Sequence, residues 1–178
     1  GPLMFLSRFL LASAALLLAT AVLAADAPGE TKGTVLEPSP DNLALTWARA
    51  NLVLPATLMG GRRWEGHAED APDVVGIAPL VIVMHGSSGV APAIKDYQVW
   101  LADELGAASV APDSLAIPDR LTYTSPVDVA TYERVHALRL AELENALKAV
   151  RDWSWVDRFR VVLAGTSEGA VAVGRYAG

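Results

Sequence analysis

The hydrophobic pattern is clearest from the middle of the chain onward. Pro79–Met84 (PLVIVM) is a short, unbroken apolar run and reads as a buried strand. From Ala93 to Leu105, residues Ile94, Tyr97, Val99, Trp100, Leu101 and Leu105 fall mostly on one helical face, and Gly106 supplies the stop. Ala107–Ala111 is a second short strand closing at Pro112-Asp113, and residues 114–127, with Pro118 and Pro126, form a loop. Asp128 to Trp153 carries the longest helical pattern, with Val135, Leu138, Leu140, Leu143, Leu147 and Val150 at helical spacing. Phe159–Ala164 follows as a third strand, and Ala170–Val173 opens another helix. Strands alternating with helices predict parallel pairing, right-handed crossovers and an α/β fold. The nearly unbroken apolar runs predict strands buried on both faces.

Upstream the pattern is weaker. Residues 26–46, with Pro28, Gly29, Gly33, Pro38 and Pro40, read as a linker or N-terminal arm ahead of a domain spanning 47–178. Asn51–Met59 is apolar but interrupted by Pro55, which predicts an edge strand or a loop packed on the core. Residues 60–78, with Gly60-Gly61 and the acidic stretch Glu69–Asp73, read as hairpin and loop.

Composition bounds this picture. A chain of 178 residues that is 52% hydrophobic can bury one core and has no room for a second. Part of that apolar content lies at the start. Gly1-Pro2-Leu3 ahead of Met4 reads as a cloning scar. Residues 4–25 then give one cation, Arg8, an Ala/Leu-rich stretch and small residues before Asp26, which is the form of a secretory signal peptide. The expected location is periplasmic or secreted, with membrane contact only if that segment stays uncleaved. There is no cysteine, so core packing alone must hold the fold. The formal net charge of −6 argues against a nucleic-acid surface. Three scattered histidines without H-E-x-x-H spacing predict no metal site, and no cofactor is expected.

The chemistry concentrates in Gly165-Thr166-Ser167-Glu168-Gly169, set between the last strand and the last helix. Strand, G-x-S-x-G, helix is the context of a nucleophile elbow, a sharp turn that lifts a serine hydroxyl above the sheet. The glycines let strand and helix approach because neither carries a Cβ. The bland alternative is an ordinary turn in which Ser167 merely caps the helix. A second motif, His85-Gly86-Ser87-Ser88-Gly89, also follows a buried strand and precedes a helix. Acyl transfer needs backbone N–H donors aimed where a carbonyl oxygen becomes negative, and a glycine-rich turn lets a substrate approach bare backbone.

Through these two motifs, with Ala111-Pro112-Asp113-Ser114 and Tyr123-Thr124-Ser125-Pro126, residues 75–178 resemble the α/β-hydrolase superfamily, and within it the dienelactone-hydrolase-like group. The resemblance implies a mostly parallel sheet and Ser167 as catalytic nucleophile. It further implies an oxyanion hole from the Ser87 and Glu168 N–H groups, with His85 and Gly86 supporting the oxyanion loop. Dienelactone hydrolases carry cysteine in the elbow. Serine here shifts the expected activity toward a serine esterase or a related carboxylic-ester or peptide hydrolase working through an acyl-enzyme, so the family's substrate does not transfer.

The superfamily's order is Ser, then Asp or Glu, then His. Nothing after Ser167 supplies the last two, so the chain reads as an N-terminal half, truncated after the elbow helix begins and inactive alone. The residues inside it do not replace them. His136 reads as a surface or interface residue of the long helix, His67 as part of a polar loop, and Asp113 precedes the serine. Trp153 and Trp155 read as packing against the sheet rather than as a carbohydrate platform. The last strand would leave a free edge carrying Val161, Val162 and Leu163, open to self-association. Two other readings stand beside the hydrolase: a non-catalytic binding or assembly module, and a membrane-tethered subunit.

Overall fold

The computed structural model describes residues 34–122 and 127–178. The signal-like segment 4–25 and the stretch Tyr123–Pro126 lie outside the described residues. Four helices, α1 (Pro40–Ala48), α2 (Pro92–Leu105), α3 (Val129–Ala149) and α4 (Glu168–Arg175), pack around five strands, β1 (Asn51–Leu54), β2 (Trp64–His67), β3 (Ala78–Met84), β4 (Ala108–Ala111) and β5 (Val156–Gly165). The sheet order is β2-β1-β4-β3-β5. β3 pairs in parallel with β4 and β5, whereas β1 is antiparallel to both β2 and β4. The fold is α/β with a mixed sheet whose central strands are parallel.

Two apolar layers sandwich the sheet. Leu80, Ile82 and Met84 face Leu143, Ala146 and Ala172 of α3 and α4. Val81 and Val83 face the opposite way, onto Leu101 and Ile94 of α2. This two-residue alternation is the strand's pleat, and it explains why β3 reads as continuously apolar: both of its faces are covered. The chain therefore leaves β3 toward one face and leaves the adjacent β5 toward the other. Such a reversal opens a crevice at the carboxyl ends of the two strands, where α/β sheets bind ligands.

Four expectations need correction. First, α1 begins inside the segment that reads as a linker or arm. Ser39 caps it, its side chain accepting from Asn42 N–H (3.2 Å), and Pro40 occupies the first turn. At that position proline's missing N–H costs nothing, so Pro40 starts a helix instead of breaking one. Second, β1 is interior. Pro55 lies just past its end and removes no ladder bond, so it does not confine the strand to an edge. Third, the long helix ends at Ala149, and residues 150–152 tighten into a 3₁₀ turn. Fourth, β5 is not buried on both faces: Phe159 is 99% and Val162 54% exposed. Among the described residues it pairs with β3 alone, and apolar grooves border it on both faces. One includes Leu147, Val150, Val156 and Val161, and the other Val83, Ile94, Tyr97 and Ala164. A ten-residue unpaired edge is a template for further pairing. Val162→Lys should therefore shift the chain toward smaller species in sedimentation velocity. An unchanged distribution would mean that this edge does not mediate association.

Three of the five tryptophans pack together rather than project. Trp47, Trp153 and Trp155 form a run of rings with centroids 5.2 and 5.1 Å apart, and Trp155 is buried in the main core.

Candidate active site

The elbow is built by steric exclusion. Ser167 has φ 53° and ψ −124°, a conformation that costs a residue with a Cβ on the order of 1–3 kcal/mol. It persists because its neighbours leave no alternative. A Cβ on Gly165 would lie 2.5 Å from the Gly169 carbonyl oxygen, and one on Gly169 would overlap the Met84 and His85 carbonyls. Gly165 and Gly169 are required by space, because α4 starts against the ends of both β5 and β3. Thr166 N–H donates to Met84 O (3.1 Å), carrying the ladder into the turn. The Ser167 side chain makes no capping bond to α4, and the residue is exposed. The hydroxyl is thus not spent on the helix, contrary to the simple cap reading.

The glycine-rich loop after β3 lies directly beside it: a Cβ on Gly86 would sit 3.2 Å from that of Ser167. Ser87, Ser167 and Glu168 line one cavity of about 370 Å³ at the crevice, together with Tyr132, His136 and Val171. The structure thus brings three of the sequence-predicted residues to one opening, with Gly86 and His85 beneath it.

His85 is fully buried. Its Nε2 accepts from the Ser114 N–H (3.0 Å), so the ring proton must be on Nδ1, which donates to the Gly86 carbonyl (2.6 Å). That carbonyl belongs to the same peptide unit as the Ser87 N–H. Holding the oxygen on one side fixes the N–H on the other. Burial, reinforced by the Arg139 charge, lowers the His85 pKa to about 3. Both ring nitrogens are engaged and the ring stays neutral, so His85 orients the loop and is not placed to act as a base.

The consequence for stability has a definite sign. A histidine whose folded pKa lies below its unfolded value binds protons preferentially when unfolded, so stability falls as pH drops from about 6.5 toward 3. The slope reaches about 1.4 kcal/mol per pH unit for one proton. In denaturant titrations, the deficit of His85→Gln relative to wild type should shrink by about 2 kcal/mol between pH 7 and pH 4.5. A pH-independent deficit would show that His85 is not held neutral by the fold.

Beneath the loops lies a buried polar network that sequence reasoning missed. Glu168 Oε1 accepts from Arg139 Nη1 (2.6 Å) and Arg120 Nη2 (2.5 Å). Arg139 Nη1 also donates to the His85 carbonyl (2.8 Å). Arg120 Nε donates to Ser114 Oγ (3.0 Å), whose hydroxyl donates to Glu142 Oε1 (2.8 Å). Arg139 Nε lies 2.9 Å from Glu142 Oε2 as an ion pair without hydrogen-bond alignment. Two guanidinium groups face two carboxylates, all 5% exposed or less. Burial pushes the Glu142 carboxyl up from the usual range, against the pull of Arg139 and Ser114. His85, Ser114 with Arg120, and Glu168 come from the turns after β3, β4 and β5, so the network ties the three loops to the middle of α3.

A signal for part of this was present. Arg139 and Glu142 fall among the helix positions that face the core, beside Leu138 and Leu143. Charged residues in a buried stripe imply buried partners. The partners themselves come from distant loops, 29 residues away in the case of Arg139 and Glu168.

The other candidates are dispersed or differently placed. Asp113 caps the turn that follows β4, accepting from Leu115 N–H (3.1 Å), and burial raises its pKa. His67 ends β2, with Nδ1 3.4 Å from an Arg49 nitrogen that also reaches Glu69. His67, Glu69 and Asp70 group within 4.8 Å of one another, but the Arg49 cation already occupies their neighbourhood. His136, read as a surface or interface residue, is half-buried on α3. It lines the Ser167 cavity, packs against the Tyr132 ring at 6.2 Å, and has a buried Nδ1 without a hydrogen-bond partner among the described residues. Among the described residues, no helix is long and apolar enough to cross a membrane.

No family model matches the chain, and no curated protein matches it.

Proposed function

We propose that the chain carries the nucleophile and the oxyanion loop of an exported α/β-hydrolase acting on small carboxylic esters, similar to the dienelactone-hydrolase-like group. The observation that carries this reading is Ser167. It is held at positive φ between two sterically obligatory glycines, is uncapped and exposed, and opens on the cavity shared with Ser87. A fold maintains such strain where a side chain must be presented. In the proposed reaction Ser167 Oγ attacks the ester carbonyl and the Ser87 and Glu168 N–H groups receive the developing oxyanion. The alcohol departs with the proton taken from Ser167, and water then releases the acid. No metal or cofactor enters this scheme. The partner is a small ester, and the exposed β5 edge supports self-association. The signal-like segment 4–25 supports a periplasmic or secreted location, with membrane tethering as the alternative if it is retained.

A serine hydroxyl needs a base. Residues 168–178 contain one carboxylate side chain, Glu168, which is committed to two arginines, and no histidine. The first reading takes the base and its acid from outside this sequence, in the order the family resemblance implies. The position of His136 in the same cavity, with an Nδ1 that has no hydrogen-bond partner among the described residues, favours a second reading in which it activates Ser167.

One experiment separates these readings and the non-catalytic alternative. Intact mass is measured before and after a fluorophosphonate probe on wild type, Ser167→Ala and His136→Asn. We expect no label on residues 1–178 alone, and Ser167-dependent labelling of a longer product where the gene encodes one. Labelling of this chain that is lost in both variants would assign the base to His136. No labelling of either product would leave the non-catalytic module as the function.

A further inference from the structure

We propose that Arg139 is a positioning residue that sets the distance between the two oxyanion donors, an inference that rests on the hydrolase reading above. A single nitrogen, Nη1, holds the His85 carbonyl at 2.8 Å and Glu168 Oε1 at 2.6 Å. The first acceptor lies two residues before the Ser87 N–H, and the second is the side chain of the residue that supplies the other donor. Two consecutive carbonyls of the oxyanion loop are therefore anchored, His85 O by Arg139 and Gly86 O by the His85 ring. The loop itself contains Gly86 and Gly89 and would otherwise have wide backbone freedom. Arg139 gains its own rigidity from the middle of α3, where Val135, Leu138 and Leu143 are fully buried. Glu142 holds Arg139 from one helical turn away, and Arg120 holds Glu168 from the far side. The planar guanidinium thus acts as a spacer between the two loops. Oxyanion stabilisation depends on donors already set at the geometry of the transition state, so slackening this spacer should be felt in kcat.

The test compares Arg139→Met and Arg139→Lys with Leu143→Ala, a buried apolar change one turn along α3. Each is made in the full-length gene product, with a p-nitrophenyl ester as substrate and hydrogen exchange by mass spectrometry alongside. Arg139→Met should lower kcat by about 10–100-fold, short of the loss of a whole donor, with KM within about twofold. Exchange should rise together in segments 85–89 and 166–169. Arg139→Lys retains the charge without the fork and should show a smaller loss of the same kind. Leu143→Ala should reduce melting temperature while leaving kcat within about threefold. A parallel fall of kcat and melting temperature across all three would overturn the proposal, as would Arg139→Lys with wild-type kcat and wild-type exchange. If wild type neither hydrolyses the ester nor takes the fluorophosphonate label, the hydrolase reading fails. The exchange data then decide: joint loosening of the two segments in Arg139→Met upholds the spacer, and its absence overturns it.

Discussion

Replacing Glu168 with Leu is expected to lower the unfolding free energy by about 3–5 kcal/mol. The carboxylate is 4% exposed and is shared by Arg120 and Arg139, so its loss leaves two guanidinium groups buried with reduced compensation. The large effect comes from stranding charge, not from the intrinsic worth of the ion pair. Taking all four charges out of water costs about as much as their mutual attraction returns. A variant with Arg120, Arg139, Glu142 and Glu168 all replaced by apolar residues of similar volume should therefore recover most of the lost stability. Urea titrations of the single and quadruple variants distinguish the two accounts. A quadruple variant as unstable as Glu168→Leu would show that the network stabilises the fold in its own right. Recovery would point instead to a network kept for the geometry of the loops it joins.

Gly169→Ala should destabilise the chain by about 3 kcal/mol or more, at the upper end for a single added methyl group. Most glycine-to-alanine changes in helices are mild or stabilising, since alanine is the better helix former. Here the new Cβ would fall on the Met84 and His85 carbonyl oxygens. Neither can retreat: Met84 pairs with Gly165 in the parallel ladder, and His85 O is held by Arg139. Gly174, on the same helix, is the internal control, because a Cβ there would meet nothing within 4 Å. Gly174→Ala should be neutral or slightly stabilising by thermal melting, by up to about 1 kcal/mol. Equal behaviour of the two variants would mean that the elbow relaxes around the added methyl and that the glycine is not sterically required.

Both effects arise at the boundary between what is local in the chain and what is not. The alternation of β3, α2, β4, α3, β5 and α4 was readable because each element buries a face at its own period, two for strands and 3.6 for helices. The elbow was readable because its G-x-S-x-G pattern lies within five consecutive residues, Gly165 to Gly169, although the clash that makes Gly169 obligatory is with the distant Met84 and His85 carbonyls. The loop His85–Gly89 was readable as a second glycine-rich turn after a buried strand. Local punctuation misled in two places. Pro40 starts α1 at the one helical position that tolerates it, and Pro55 follows β1 without touching its ladder.

By itself, then, the sequence determined the α/β alternation, the G-x-S-x-G turn and the glycine-rich loop after β3, each a pattern carried within one element or turn. Only the tertiary structure decided that β1 lies inside the sheet, that His136 shares the cavity of Ser167, and that Arg120, Arg139, Glu142 and Glu168 meet. These depend on which strand lies beside which and on contacts between residues far apart along the chain. Periodicity tells that a face is buried but carries no record of what it is buried against.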